Sequence, residues 1–121
     1  MKERAWGNTL ELEVEEAAGF PSIRLHGEGE RRGAARLREL AEELIRNGKT
    51  DIIVDARGVR FLDPDSAEAL SAVMARLEEE GGALVIIDQS QPVERALKLL
   101  GMEQLAHVVA TPEQAVRYLR C

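Results

Sequence analysis

Asp55, Arg57, Arg60, Asp63, Asp65 and Ser66 fall within one short stretch, DARGVRFLDPDS, and their types and spacing could do chemistry. Asp63-Pro64-Asp65-Ser66 has the D-x-D-x-[ST] form that opens an aspartyl phosphatase loop, with Asp55 as a further Mg²⁺ ligand. That reaction needs a carboxylate nucleophile, a neighbouring acid, a metal and groups such as Ser90 and Lys98 to hold the phosphoryl oxygens. It also calls for a second acidic metal cluster, which Asp88 alone does not supply, so a Mg²⁺-dependent phosphotransferase ranks last. The other reading needs no reaction. Two carboxylates and a hydroxyl at a helix start meet unpaired backbone N–H groups and the positive end of the helix dipole. Either Asp65 and Glu68 form a D-x-x-E box, or Asp63 is the N-cap with Pro64 in the first turn. Arg57 and Arg60 then neutralise Asp55, Asp63 or Asp65, or dock an acidic partner. The expectation is a binding surface with no catalytic residue, metal or cofactor.

The elements that must hold these residues follow from periodicity. Ile52-Ile53-Val54, ending in Asp55, reads as a strand buried on both faces. A second apolar stretch, Val59 to Leu62, leads to a helix over about Asp65 to Glu80, with Phe61 and Leu62 expected to anchor the backbone of Asp63. That helix buries Leu70, Val73, Met74 and Leu77 and is ended by Gly81-Gly82. Upstream, Thr9 to Val14 alternates, as do Ile23 and Leu25, which predicts an antiparallel strand pair. Leu37, Leu40, Ala41, Leu44 and Ile45 form a helix stripe stopped at Gly48. Downstream, Ala83 to Ile87 is an apolar strand. Ser90 then caps a helix with Pro92 in its first turn, burying Val93, Ala96, Leu97 and Leu100 and stopping at Gly101. Leu105 to Val109 is a short strand. Thr111, Pro112 and Gln114 start a last helix, anchored by Val116 and Leu119, through a reciprocal capping box. The order β-β-α-β-α-β-α-β-α predicts one α/β domain over residues 1–121, a mixed sheet with an N-terminal antiparallel pair and four helices. Residues 1–8 read as an N-terminal arm in which Trp6 covers the sheet edge.

Composition narrows the function. The chain has 121 residues, 45% of them apolar, with one Trp, one Tyr and two Phe, so the core must be aliphatic. A net charge of −6 argues against nucleic acid, which demands a basic footprint. Arg31, Arg32, Arg36 and Arg38 cluster, but acidic neighbours make them a solvated helix face. No apolar run approaches the ~20 residues of a membrane span, and MKERAWGN lacks the apolar core of a signal peptide. The lone cysteine, Cys121, cannot form an internal disulfide. A cytoplasmic protein without direct membrane insertion is expected.

Other motifs are weaker. His26, placed just before a turn, and His107, in a strand, have no Cys or His at ligand spacing and read as structural. No nucleophile elbow supports a Ser–His–acid triad. Gly27-x-Gly29 is flanked by Glu28 and Glu30, which would repel a phosphate, so it reads as a turn.

From Leu10 to Leu119 the chain resembles the STAS domain of bacterial anti-sigma factor antagonists. The resemblance rests on Ile23-Arg24-Leu25-His26-Gly27-Glu28, Ile53-Val54-Asp55 followed by Val59-Arg60-Phe61-Leu62-Asp63, Gly81-Gly82-Ala83-Leu84-Val85, and Ser90, Val93, Arg95 and Gly101. It implies a non-enzymatic regulatory module for partner switching, bound by an anti-sigma factor with a histidine-kinase-like ATPase fold. In such antagonists the loop reads Asp-Ser-Ser-Gly or Asp-Ser-Thr-Gly, and its second hydroxyl is phosphorylated. Matched to that loop, the acid is Asp63, the first Ser is replaced by Pro64, the phosphoacceptor by Asp65 and the Gly by Ser66. A fixed carboxylate at Asp65 argues against switching by phosphorylation there, and Ser66 is the candidate for a displaced acceptor. Asp63, Pro64, Asp65, Ser66, Arg60 and Glu28 are the expected partner-binding residues. The resemblance also admits a STAS subunit of a phospholipid-transport ABC complex, which braces an ATPase and needs no phosphoserine.

Overall fold

The computed structural model describes residues 2–3, 10–28, 31–89, 91–101 and 107–120. Alternation in LELEVEEA produces strand β2 (Leu10–Ala17), which turns through Ala18-Gly19 into β3 (Phe20–Glu28), antiparallel with Leu12 opposite Leu25. Within the arm, Lys2–Glu3 adds a two-residue strand, β1, against Glu13 and Leu12. The parallel part follows from helical crossovers. Helix α1 (Arg31–Arg46) leads to β4 (Asp51–Phe61), α2 (Pro64–Glu79) to β5 (Ala83–Ile87), and α3 (Pro92–Leu99) to β6 (His107–Val109). Helix α4 (Pro112–Arg120) closes the described chain. Neighbouring strands are consecutive, in the order β1-β2-β3-β4-β5-β6, with β3 to β6 all parallel.

Burial divides the sheet into two unequal faces. Leu37, Leu40 and Ala41 of α1, Leu70, Val73, Met74 and Leu77 of α2, and Val93 and Leu97 of α3 pack with Leu12, Ile23, Leu25, Ile52, Val54 and Ile86. Ile53, Val85 and Ile87 point the other way and pack with Ala115, Val116 and Leu119 of the last helix, flanked by Ala17, Phe20 and Val109. Strands β4 and β5 are therefore apolar on both sides, which is why their sequences are unbroken aliphatic runs. Arg76 ties two helices together, reaching Glu42 of α1 at 3.1 Å and Glu80 beyond the end of α2 at 2.7 Å.

Several sequence expectations need correction. The stretches Asp51–Asp55 and Val59–Leu62 are not separate: β4 runs unbroken from Asp51 to Phe61. His26 does not precede a turn but lies inside β3, within 3.9 Å of Glu13 on β2, and Gly27 is likewise a strand residue. The expected cap Ser90, the arm residue Trp6, Gly29 and Cys121 lie outside the described residues, as do positions 105–106 of the last strand. At the start of α3 the N-cap is Gln91, which makes no side-chain cap bond; instead Asp88 accepts from the backbone N–H of Glu94 at 3.3 Å. The capping box at α4 forms as expected. Gln114 N–H donates to Thr111 Oγ1 at 3.2 Å, and Gln114 Oε1 accepts from the N–H of Thr111 and of Ala110.

Candidate functional site

The carboxyl end of β4 sets the geometry of the helix start that follows it. Between Arg24 and His26 of β3 the chain advances two residues, while the facing β4 segment, Asp55 to Gly58, advances three. A second shift follows between Gly27 and Glu28, where β4 passes from Val59 to Phe61. Each extra residue is a β-bulge that resets which side chains face inward. Val54, Ala56, Val59 and Leu62 are consequently all buried, although the last two follow at intervals of three instead of two.

Asp55 and Arg57 hold the first bulge. Arg57 grips both carboxylate oxygens of Asp55, through Nε at 2.9 Å and Nη2 at 2.7 Å, and its backbone N–H donates to the same carboxylate at 3.2 Å. Asp55 is only 6% exposed. Burial pushes its carboxyl pKa up, but the hydrogen bonds and charge of Arg57, with the charge of Arg24, hold it below the ordinary value. Gly58 follows because a Cβ there would stand 2.6 Å from Cβ of His26 on the adjacent strand.

The chain then leaves the sheet. Leu62 turns into the core while Phe61, expected from its apolar type to be an anchor, stands 55% exposed. Asp63 takes extended backbone (φ −75°, ψ 164°), and its Oδ1 accepts from the N–H of Ser66 at 3.2 Å. It is therefore the N-cap of α2, Pro64 occupies the first turn, and the alternative box begun by Asp65 is not the cap. Asp65 is an exposed acidic residue of the first turn. Ser66 points inward, fully buried, its hydroxyl without a hydrogen-bond partner. Arg60 is exposed, and the backbone of Glu28 pairs with Phe61 at the end of β3. The expected binding residues thus gather at the carboxyl end of β3 and β4. Phe61 is the surface residue that sequence reasoning assigned to the interior; the bulges, which lengthen the spacing of buried positions from two residues to three, turn it outward.

Asp55, cast as a Mg²⁺ ligand in the phosphatase reading, is taken up by Arg57, and Asp63 by its cap bond. Among the described residues no group of three or more His, Cys, Asp or Glu side chains is placed to hold a metal ion. No helix of the described residues is long and apolar enough to cross a membrane. His107 stacks on Tyr118 of α4, ring centroids 3.6 Å apart and planes 23° from parallel, a contact that joins β6 to the last helix.

Comparison with known proteins supports this architecture. No curated protein matches the chain. Among solved structures, an anti-sigma factor antagonist from Mycobacterium paratuberculosis superposes with a TM-score of 0.81 at 19% identity, over 94% of this chain and 97% of that one. The unphosphorylated anti-sigma factor antagonist SpoIIAA gives a TM-score of 0.76 at 22% identity, over 90% and 96% of the two chains. RsbS from Moorella thermoacetica, carrying a serine-to-glutamate change, gives 0.70 at 12% identity, over 90% and 94%. At these identities the likeness is one of fold. A family model described as "Mlab, STAS domain" matches residues 12–110, and over that span the chain belongs to the STAS domain family.

Proposed function

We propose that this protein is a non-enzymatic, partner-binding regulator that acts as an anti-sigma factor antagonist, with the start of α2 as its contact surface. The observation that carries this reading is the placement of Asp65: a fixed, exposed carboxylate in the first turn of α2, held there by the Asp63 cap and Pro64. It occupies the position that resembles the family's phosphoacceptor. One negative charge at a helix N-terminus is a weaker form of the state a phosphate would create. Constant charge removes the need for a kinase at that position, and the buried Ser66 would be accessible to one only if the helix start opened. Exposed Phe61 and Arg60 complete the surface, an aromatic anchor next to a charged residue. The partner is an anti-sigma factor with a histidine-kinase-like ATPase fold, met in the cytoplasm.

The same constancy of charge favours a second reading, a STAS subunit that braces the ATPase of a phospholipid-transport complex. Affinity purification with the intact chain as bait, followed by mass spectrometry, separates the two. Recovery of an anti-sigma factor that is lost with Phe61→Ser bait supports the first. Recovery of a transporter ATPase supports the second. Recovery of either with equal yield from Phe61→Ser and Asp65→Lys baits would refute the contact surface.

A further inference from the structure

On the opposite face of the sheet from α2, a groove of about 550 Å³ runs between α4 and the tip of the β2–β3 hairpin. Its lining is predominantly apolar, from Ala17, Ala18, Pro112 and Val116, and its charged groups are Glu113, Arg117 and Arg120. The small side chains of the hairpin tip and the proline at the helix start leave the depression. From Pro112 to Arg120 the helix extends ~12 Å, room for an acyl chain of medium length lying along it. The volume and the mix of an apolar floor with a few polar groups are those of small-molecule sites.

Charge decides what would occupy it. Arg117 and Arg120 sit one helical turn apart, and neither makes an ion pair or hydrogen bond among the described residues. Both complement the negative end of the α4 dipole, yet their donors remain unused. Glu113 is the one acidic group lining the groove, against two arginines. In a chain of net charge −6 this is a local positive rim over an apolar floor. We infer that the groove binds a free single-chain carboxylate amphiphile, the acyl chain along Val116, Ala17 and Ala18 and the head group against Arg117 and Arg120. Carboxylate accepts from guanidinium in paired, charge-assisted bonds, and the apolar floor gains by covering the chain. This site is independent of the α2 surface and does not rest on the partner proposed for it.

The test is titration calorimetry of the full chain with decanoate below its micelle concentration, with amide chemical shifts recorded alongside. Expected is saturable one-site binding with shifts at Ala17, Ala18 and Val116. Affinity should fall at least tenfold in Arg117→Gln/Arg120→Gln, two exposed changes whose folded state is checked by circular dichroism. Decylammonium should bind at least tenfold more weakly than decanoate, and Asp65→Ala should leave decanoate affinity unchanged. The inference is overturned by absence of saturable decanoate binding, by equal affinity in the double variant, by equal affinity for decylammonium, by shifts confined to the start of α2, or by binding only to phosphatidylglycerol vesicles.

Discussion

Arg57 folds back two residues along its own strand to grip Asp55 with two side-chain nitrogens and its backbone N–H, at the point where β4 gains a residue over β3. This local pair braces the backbone at the bulge. The bulge brings Val59 into the core, and the second bulge, between Val59 and Phe61, then turns Leu62 inward and Phe61 out. Charge, strand register and the orientation of the candidate surface are linked through one carboxylate.

Asp55→Asn should therefore cost about 1–3 kcal/mol, since a nearly buried, charge-assisted fork is removed while Arg57 stays. The effect has a defined pH window. The native Asp55 carboxyl titrates below its unfolded value, so its stabilisation is present above about pH 3.9 and is lost as pH falls through the native value. Urea midpoints of wild type and Asp55→Asn should differ clearly at pH 7 and converge as pH falls through the native value. A gap that persists in acid would show that the carboxylate charge is not what matters.

The cap separates structure from recognition at the helix start. Asp63→Ala should lower stability by roughly 0.5–2 kcal/mol, because the N–H of Ser66 loses its acceptor. Asp65→Ala removes a charge favourable to the dipole and leaves the cap in place, and should cost about 0.3–1 kcal/mol. Chemical denaturation of the two variants checks the order. For partner affinity the order should reverse, with Asp65→Ala the more harmful.

Much of this fold was legible because its strands and helices advertise themselves by different periods. TLELEV alternates, ALVII does not, and Leu37 to Ile45 repeats with the helical turn; each found its place. The reciprocal box of Thr111 and Gln114 was legible because capping is local. The continuity of β4 was not: Asp55, Arg57 and Gly58 look like a loop, and only pairing with β3 makes them strand. Phe61 misled for the same reason, since apolar type says nothing of phase once a bulge intervenes. The support of α3 by Asp88 was hidden by distance, as its contact to Glu94 spans a break in the helical pattern.

Phe61 should behave as a surface residue in stability and as a core residue in binding. Phe61→Ser is expected to change the denaturation midpoint by no more than about 0.5 kcal/mol, typical of an exposed site. Affinity for the protein partner should fall at least tenfold, about 1.4 kcal/mol or more, if the ring is the buried anchor of the interface. Large loss of stability without loss of affinity would assign Phe61 to packing.

Gly81 and Gly82 follow α2 side by side and should respond to alanine for different reasons. Gly81 has φ +80° with open space around its missing Cβ, so Gly81→Ala meets only backbone strain, about 1 kcal/mol. Gly82 has no left-handed backbone, but a Cβ there would stand 1.8 Å from the carbonyl oxygen of Thr50. That carbonyl also accepts the N–H of Ala83 at 3.1 Å, the bond that brings β5 alongside β4. Neither backbone can yield without loosening the strand pair, and Leu84 to Ile87 are buried behind it. Gly82→Ala should therefore cost more than Gly81→Ala, about 1–3 kcal/mol or beyond, as overpacking against backbone does. Amide exchange should sharpen the distinction: protection along β5 should fall in Gly82→Ala by more than the global loss of stability explains, whereas Gly81→Ala should leave its pattern unchanged. Equal costs, with no local loss along β5, would mean that the Thr50 turn moves aside freely and does not fix the β4–β5 pairing.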